Sequence, residues 1–287
     1  MTGPYIDLHC HVLPAYDDGA IDLDTALAML RLAQEDGIVT LVATPHCIPG
    51  SNVFPLEKAR ERHQDLCREA QTAGLSIRIE MGQEVLLEGP ILETLQHGHC
   101  LPLGASRTVL VEFPLGMEAV GRHADEMQRL VLDGWVPLLA HLERYEALRG
   151  DDDTIEALVD AGCRIQVNAG SILGLFGRTV QKQAVHLLDA GWVHVVASDA
   201  HSVGRRRPAL SEADRWLTGR YGTAHARTLL HDNPLALLED RPVTAPLTTP
   251  LDEGRLWRFL RRLKAGREAA APGENGRLDG LDPMRLP

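Results

Sequence analysis

Histidines and acids recur at the ends of apolar, strand-like runs in this 287-residue chain: His9 and His11, His46, Glu84, Glu112, His141, Asn168, and Asp199 with His201. Imidazole nitrogens and carboxylate oxygens form a mixed ligand set that suits manganese, iron or zinc better than a thiolate-loving metal. Carboxylates can also bridge two cations and hold them ~3.5 to 4 Å apart, an arrangement suited to phosphate hydrolysis. Buried without a cation, such acids would be costly. The densest signal is His9-Cys10-His11, because alternation along a strand turns both imidazoles to one side and Cys10 to the other. Asp7 precedes it, placed to orient a histidine, and Asp17-Asp18-Gly19 follows. Cys47, next to His46, is assigned to packing.

These residues need a scaffold that brings them together. The gaps from His11 to His46, Glu84, Glu112, His141, Asn168 and Asp199 are 35, 38, 28, 29, 27 and 31 residues. Each accommodates one strand plus one helix. Parallel strands in a barrel present their C-terminal ends on one face, so ligands far apart in sequence converge there. The expected strands are 5–10, 38–43, 77–81, 108–112, 136–140, 164–167 and 193–197. Helices are expected at about 22–34, 55–73, 90–97, 118–132, 154–161 and 179–190, then at 211–218, 223–230 and 234–238. Asp22 or Asp24 would cap the first helix, and Gly37, Gly74 and Gly134 would end three of them. The fold class is therefore α/β, a distorted TIM-like barrel of seven strand-helix units with its metal site at the C-terminal ends of the strands.

Composition bounds the remaining possibilities. With 44% hydrophobic residues and few aromatics, the chain can bury a large, mainly aliphatic core as one domain, residues 1–240, followed by a tail, 241–287. Pro242, Pro246 and Pro250 mark a linker, and the sequence after Ala271 reads as disordered. Between them Leu256, Phe259, Leu260 and Leu263 form one stripe of a basic amphipathic helix. It packs on the body or extends into solvent in one reading, and docks on an anionic membrane surface or a kinase partner in the other. Of the formal charge of -11, the tail from Asp252 carries +2 and the body -13, which argues against nucleic acid as a partner. No apolar run approaches the ~18 residues of a membrane span, so a cytoplasmic protein with at most peripheral membrane contact is expected. The five cysteines suit reduced thiols. None begins C-x5-R, the loop that a cysteine-dependent tyrosine phosphatase needs: the sixth residues on are Tyr16, Val53, Ala73, Ser106 and Ala169.

The motifs His9-Cys10-His11, Asp17-Asp18-Gly19, Thr44-Pro45-His46, Gly82-Gln83-Glu84, Glu112-Phe113-Pro114, Ala140-His141-Leu142-Glu143-Arg144 and Ser198-Asp199-Ala200-His201 together resemble the polymerase and histidinol phosphatase (PHP) superfamily. His11-Val12-Leu13-Pro14, Tyr221-Gly222 and Asp232-Asn233-Pro234 narrow the resemblance to the bacterial metal-dependent protein-tyrosine phosphatases of capsule and exopolysaccharide operons, over about residues 5 to 240. The resemblance implies three divalent metals, usually manganese. His9 and His11 would hold the first with Glu84 and Asp199, Glu84 bridging. Glu112, His141 and His46 would hold the second, and Asp18 and His201 the third. It further implies that Arg144 and Arg206 clamp the phosphate, with Arg207 as a competitor for that role. The expected reaction is attack by a metal-bridging hydroxide on phosphotyrosine, carried by a bacterial tyrosine kinase that controls polysaccharide export. A small-molecule phosphatase of the histidinol phosphate type and a non-catalytic, metal-stabilised regulator are the alternatives.

Overall fold

The computed structural model describes residues 3–114 and 123–244; expectations for 115–122 and for the tail beyond 244, its amphipathic helix included, lie outside the described residues. Among the described residues there are nine strands: β1 (Tyr5–Cys10), β2 (Ile38–Ala43), β3 (His46–Cys47), β4 (Arg78–Met81), β5 (Glu84–Leu86), β6 (Thr108–Glu112), β7 (Val136–Leu139), β8 (Arg164–Asn168) and β9 (Val195–Ala197). The helices are α1 (Leu23–Asp36), α2 (Leu56–Thr72), α3 (Ile91–Gln96), α4 (Ala124–Leu132), α5 (Asp152–Asp160), α6 (Ala169–Ile172), α7 (Arg178–Asp189), α8 (Ser211–Tyr221), α9 (Thr223–Arg227) and α10 (Asn233–Leu238). This is a mixed α/β fold with parallel sheets. Strands β1-β2-β4 form one sheet and β3-β5-β6-β7-β8-β9 the other. Among the described residues, no helix is long and apolar enough to cross a membrane.

All seven expected strands appear, and β3 and β5 are additions. Each follows a break, at Thr44-Pro45 and at Gly82-Gln83, where the chain leaves the first sheet and enters the second. There His46 pairs in register with Glu84, so two chemistry-bearing residues become neighbours through backbone pairing alone. Neither lies in an apolar run of its own long enough to show a periodicity, as three-residue β9 does within 193–197, which is why the sequence does not reveal them. The first and last strands also meet: Asp199 N donates to His9 O and His11 N to Ala200 O, both at 2.8 Å.

Alternation in the strands sorts their side chains between two apolar clusters. In β6, Val109 and Val111 join the large cluster that includes Met29, Leu66 and Leu130 from the helices. Leu110 instead faces Ile6, Leu8, Val42, Leu138, Val195 and Leu237. Each such buried aliphatic side chain contributes about 1.5–3 kcal/mol. Strand β1 departs from regular alternation: it takes three steps from Asp7 to Cys10 where β2 takes two from Leu41 to Ala43. That bulge lets the inward face continue from Leu8 to His9 and His11. In α1, Asp22 accepts from Thr25 N at 2.8 Å and Gly37, at φ 98°, closes the helix.

Candidate metal centre

Nine side chains arrive at one place: His9, His11, Glu112, His141, Asp199 and His201 at or just past the ends of strands, His46 and Glu84 opening β3 and β5 just past β2 and β4, and Asp18 from a loop. Glu84 is the hub, almost fully buried. Its Oε1 lies 2.9 Å from His141 Nε2 and 3.3 Å from His9 Nε2, and its Oε2 lies 3.2 Å from both His11 Nε2 and His46 Nδ1. Glu112 stands 3.6 Å from His141 and 3.7 Å from His46. Asp199 Oδ1 is 3.5 Å from His9 Nε2 and 3.6 Å from His201 Nδ1. Asp18, carried by the loop after β1, reaches the Nε2 atoms of His46 and His201, each at 3.4 Å. Donor atoms lie within 4.8 Å of one another in three sets: His11, Asp18, His46 and His201; His9, His11 and Glu84; His46, Glu84 and Glu112.

Hydrogen bonding decides whether these atoms suit a cation. Gln166 Oε1 accepts the His141 N–H at 3.1 Å, so the group facing His9 is an oxygen, and His9 Nδ1 must be the donor across 3.0 Å. Asp17 Oδ2, 2.9 Å away, likewise takes the Nδ1 proton of His11. Both rings are therefore held with Nε2 aimed into the cluster, and the two Nε2 atoms sit 3.2 Å apart. Two lone pairs that close repel unless a proton or a metal ion lies against them. His201 donates Nδ1–H to the Asp199 carbonyl at 3.0 Å and turns its own Nε2 to Asp18. The donor set fits divalent cations, and orienting partners of this kind typically tune such ligands.

Without metal, protons balance the charge. Burial works against a charged His9, but Glu84 and Asp199 overcome it and raise its pKa to about 9. Burial would raise Asp199, yet His9, His141 and Arg206 bring it down to about 2. Glu84 is driven well below the carboxylate range in the same way, burial being outweighed by His9, His11 and His141. Glu112 goes up instead, through burial and then the charge of Glu84.

The backbone contributes as well. His141 and Asp199 adopt left-handed conformations, φ 35° and 51°, which cost of order 1–3 kcal/mol each and are found where a site over-determines them. Gly19 packs its backbone on His11, where an added Cβ would meet His11 O at 2.0 Å. Only glycine lets the Asp17-Asp18 loop close on the His11 backbone.

The cluster floors one wall of a cleft of about 440 Å3, whose other walls include Ile48, Phe54, Leu86, Glu88 and Pro114. Arg144 and Arg206 line the same cleft. Both reach Asp199 Oδ2, Arg206 at 2.9 Å and Arg144 at 3.4 Å, and both guanidiniums lie over the Phe176 ring, at 5.8 and 5.4 Å. Arg207 is not among the cleft-lining residues: its guanidinium pairs with Glu212 at 3.3 Å on a neighbouring recess. Asp7 also differs from expectation. It accepts from Ser198 N at 2.9 Å and so ties β1 to the turn that carries Asp199, while Gln166 and Asp17 hold the rings. Asp17 was visible beside Asp18, though not which of the two would face a ring. Gln166 had a signal, the alternation of polar Gln166 and Asn168 with apolar Ile165 and Val167 along β8. Asn168 Nδ2 donates to Asp199 Oδ2 at 2.6 Å, completing that line. Cys47 is buried in the large apolar cluster.

The chain matches the family model for capsular polysaccharide synthesis proteins, CpsB/CapC, over residues 5–239. It is 32% identical over 258 residues to the tyrosine-protein phosphatase YwqE of Bacillus subtilis, spanning 89% of this chain and 100% of that protein. Identity to the tyrosine-protein phosphatase CpsB of Streptococcus pneumoniae is 30% over 241 residues, 82% of this chain and 99% of that one. A structure from work on YwqE and CpsB, described there as unique metal-dependent tyrosine phosphatases, superposes with a TM-score of 0.79 at 32% identity, covering 86% of this chain and 100% of the other. The fold alone is shared with a D-hydantoinase, at a TM-score of 0.50 and 13% identity over 80% of this chain and 69% of that one.

Proposed function

From the fact that this chain belongs to the CpsB/CapC capsular polysaccharide synthesis family, we propose that it is a metal-dependent protein-tyrosine phosphatase. The observation that carries the reading is the geometry around Glu84: five imidazoles and four carboxylates meet beside two arginines anchored on one aspartate. His9, His11, Glu84 and Asp199 would hold one divalent cation, Glu112, His141 and His46 a second, and Asp18 with His201 a third. The close approach of His46 and His11 to Asp18 supports letting those two rings lean toward the third position as well. Manganese is the expected metal, with iron or zinc as alternatives. Such cations, when bound, would lower the pKa of coordinated water towards neutrality and offset charge on the phosphate.

The chain's own groups do the rest. Arg144 and Arg206 offer guanidinium N–H donors to the non-bridging phosphate oxygens, where charge spreads as the ester bond breaks. Asp199 and the Phe176 ring hold those two donors in place. The apolar residues lining the cleft, Ile48, Phe54, Leu86 and Pro114, suit an aromatic alcohol, and a phenolate leaves without a strong general acid. We read the two parallel sheets as one distorted (β/α)7 barrel, with β3 and β5 as outward continuations of β2 and β4; the bonds between β1 and the β9 end support that closure. The substrate is a phosphorylated bacterial tyrosine kinase of polysaccharide export, met in the cytoplasm, and residues 1–240 form the catalytic unit.

The test is turnover of a phosphotyrosine peptide in Mn2+ buffer by the wild type, Glu112→Gln and His201→Ala, beside histidinol phosphate. Loss of at least about 10^2-fold in both variants, with the peptide preferred, is expected. Near-native turnover in either variant, or a preference for histidinol phosphate, would overturn the assignment.

A further inference from the structure

Beside the cleft lies a second recess of about 540 Å3, within the ~300–1,000 Å3 typical of ligand sites. Arg206 lines both cavities. Phe176, which backs the two clamp arginines, also forms a wall of the recess. The cleft and the recess therefore adjoin at Arg206.

The recess has a chemistry of its own. Arg205, Arg206 and Arg207 all line it, with Glu212 as the one carboxylate among the lining residues; Arg207 pairs with Glu212 at 3.3 Å and Arg206 with Asp199 at 2.9 Å, which leaves Arg205. Arg205 donates to the Leu175 carbonyl and has no carboxylate partner among the described residues, so its full charge is held at the wall. Leu173, 39% exposed, supplies an apolar surface alongside. This local positive charge stands out on a chain of formal net charge -11, whose acidic surface elsewhere repels an anionic peptide.

We propose that the recess binds an anionic side chain of the substrate peptide, a carboxylate or a second phosphate, flanking the residue whose ester is cleaved in the adjoining cleft. Arginine is suited to either group, since its planar fork meets carboxylate and phosphate oxygens with paired N–H donors. The inference rests on the phosphatase reading and adds a rule of substrate choice to it.

The experiment uses the full-length chain loaded with Mn2+ and three phosphotyrosine peptides, with neutral flanks, with glutamate flanks, or with a second phosphotyrosine. A kcat/KM about 10-fold higher for at least one anionic peptide is expected, the value of one charge-assisted hydrogen bond, and the peptide that gains identifies the anion. Arg205→Gln should erase that preference, Arg205→Lys should keep part of it, and neither should change hydrolysis of a small aryl phosphate. Equal kcat/KM on all three peptides, or a preference that survives in Arg205→Gln, would overturn the subsite. If the wild type failed on the small aryl phosphate too, the phosphatase reading itself would fall, a result distinguishable from loss of the preference alone.

Discussion

His9 and His194 are buried alike, at 0% and 1% exposure, yet their basicities lie far apart. His9, at the C-terminal end of β1, is raised to about 9 in the metal-free chain, because Glu84 and Asp199 outweigh the effect of burial. His194, just before β9, is lowered to about 3, by burial first and then by the charge of Arg164. Its Nδ1 accepts from Ile165 N at 3.2 Å, a role open only to the neutral ring. Burial by itself expels charge. The strand C-termini reverse that rule by concentrating acids, and the same acids are what a metal ion needs. The opposite ends of the strands carry the packing, where a histidine serves as a neutral hydrogen-bond acceptor.

The largest effect that could break this contrast is on Glu84. Glu84→Gln removes the charge shared by four imidazoles, so phosphotyrosine turnover should fall by about 10^3-fold or more, with loss of bound Mn2+ measured by elemental analysis. A variant that kept its metal and its rate would remove Glu84 from the centre of the site. A smaller change sharpens the role of orientation. Gln166→Ala leaves every direct ligand in place but frees the His9 ring, and should weaken metal affinity by about 10–100-fold in a competition titration. An unchanged affinity would mean that packing alone holds His9.

The mildest test compares pH responses. A folded His194 that titrates near 3, against 6.5 unfolded, gives stability that is full above 6.5 and is lost as pH falls towards 3, because only the unfolded chain takes up the proton. The slope is about 1.4 kcal/mol per pH unit. His9 has the opposite sign: its contribution to the metal-free protein is full below 6.5 and is lost as pH rises through about 9. Denaturant midpoints from pH 6.5 down to 4 should therefore fall less steeply in His194→Gln than in the wild type. Parallel slopes would show that His194 does not titrate as its surroundings imply.

Much of this was legible from residue spacing. Seven apolar runs separated by helix-length gaps marked seven of the nine strands among the described residues, and the ligand-type residues at their ends announced a shared face. The short strands β3 and β5 left no trace, since pairing His46 with Glu84 depends on which strands lie side by side. Arg206 and Arg207 are indistinguishable as sequence neighbours. The turn after Asp199 points one at that carboxylate and the other at Glu212. Gln166 showed as a polar residue in β8, but its role did not, since its partners, His9 and His141, are remote in sequence.

What the sequence determined by itself was the inventory and its periodicity: metal-type ligands at strand ends, no cysteine loop for covalent phosphate transfer, and an aliphatic core. These are properties of residue type and local repeat. Tertiary structure alone decided which nitrogen each ring presents, that Asp17 meets Nδ1 of His11 while Asp18 meets Nε2 of His46 and His201, and which arginine lines the cleft. Those choices turn on distances of a few ångströms between segments far apart in the chain, set by a bulge in β1, by left-handed turns at His141 and Asp199, and by a glycine pressed against His11.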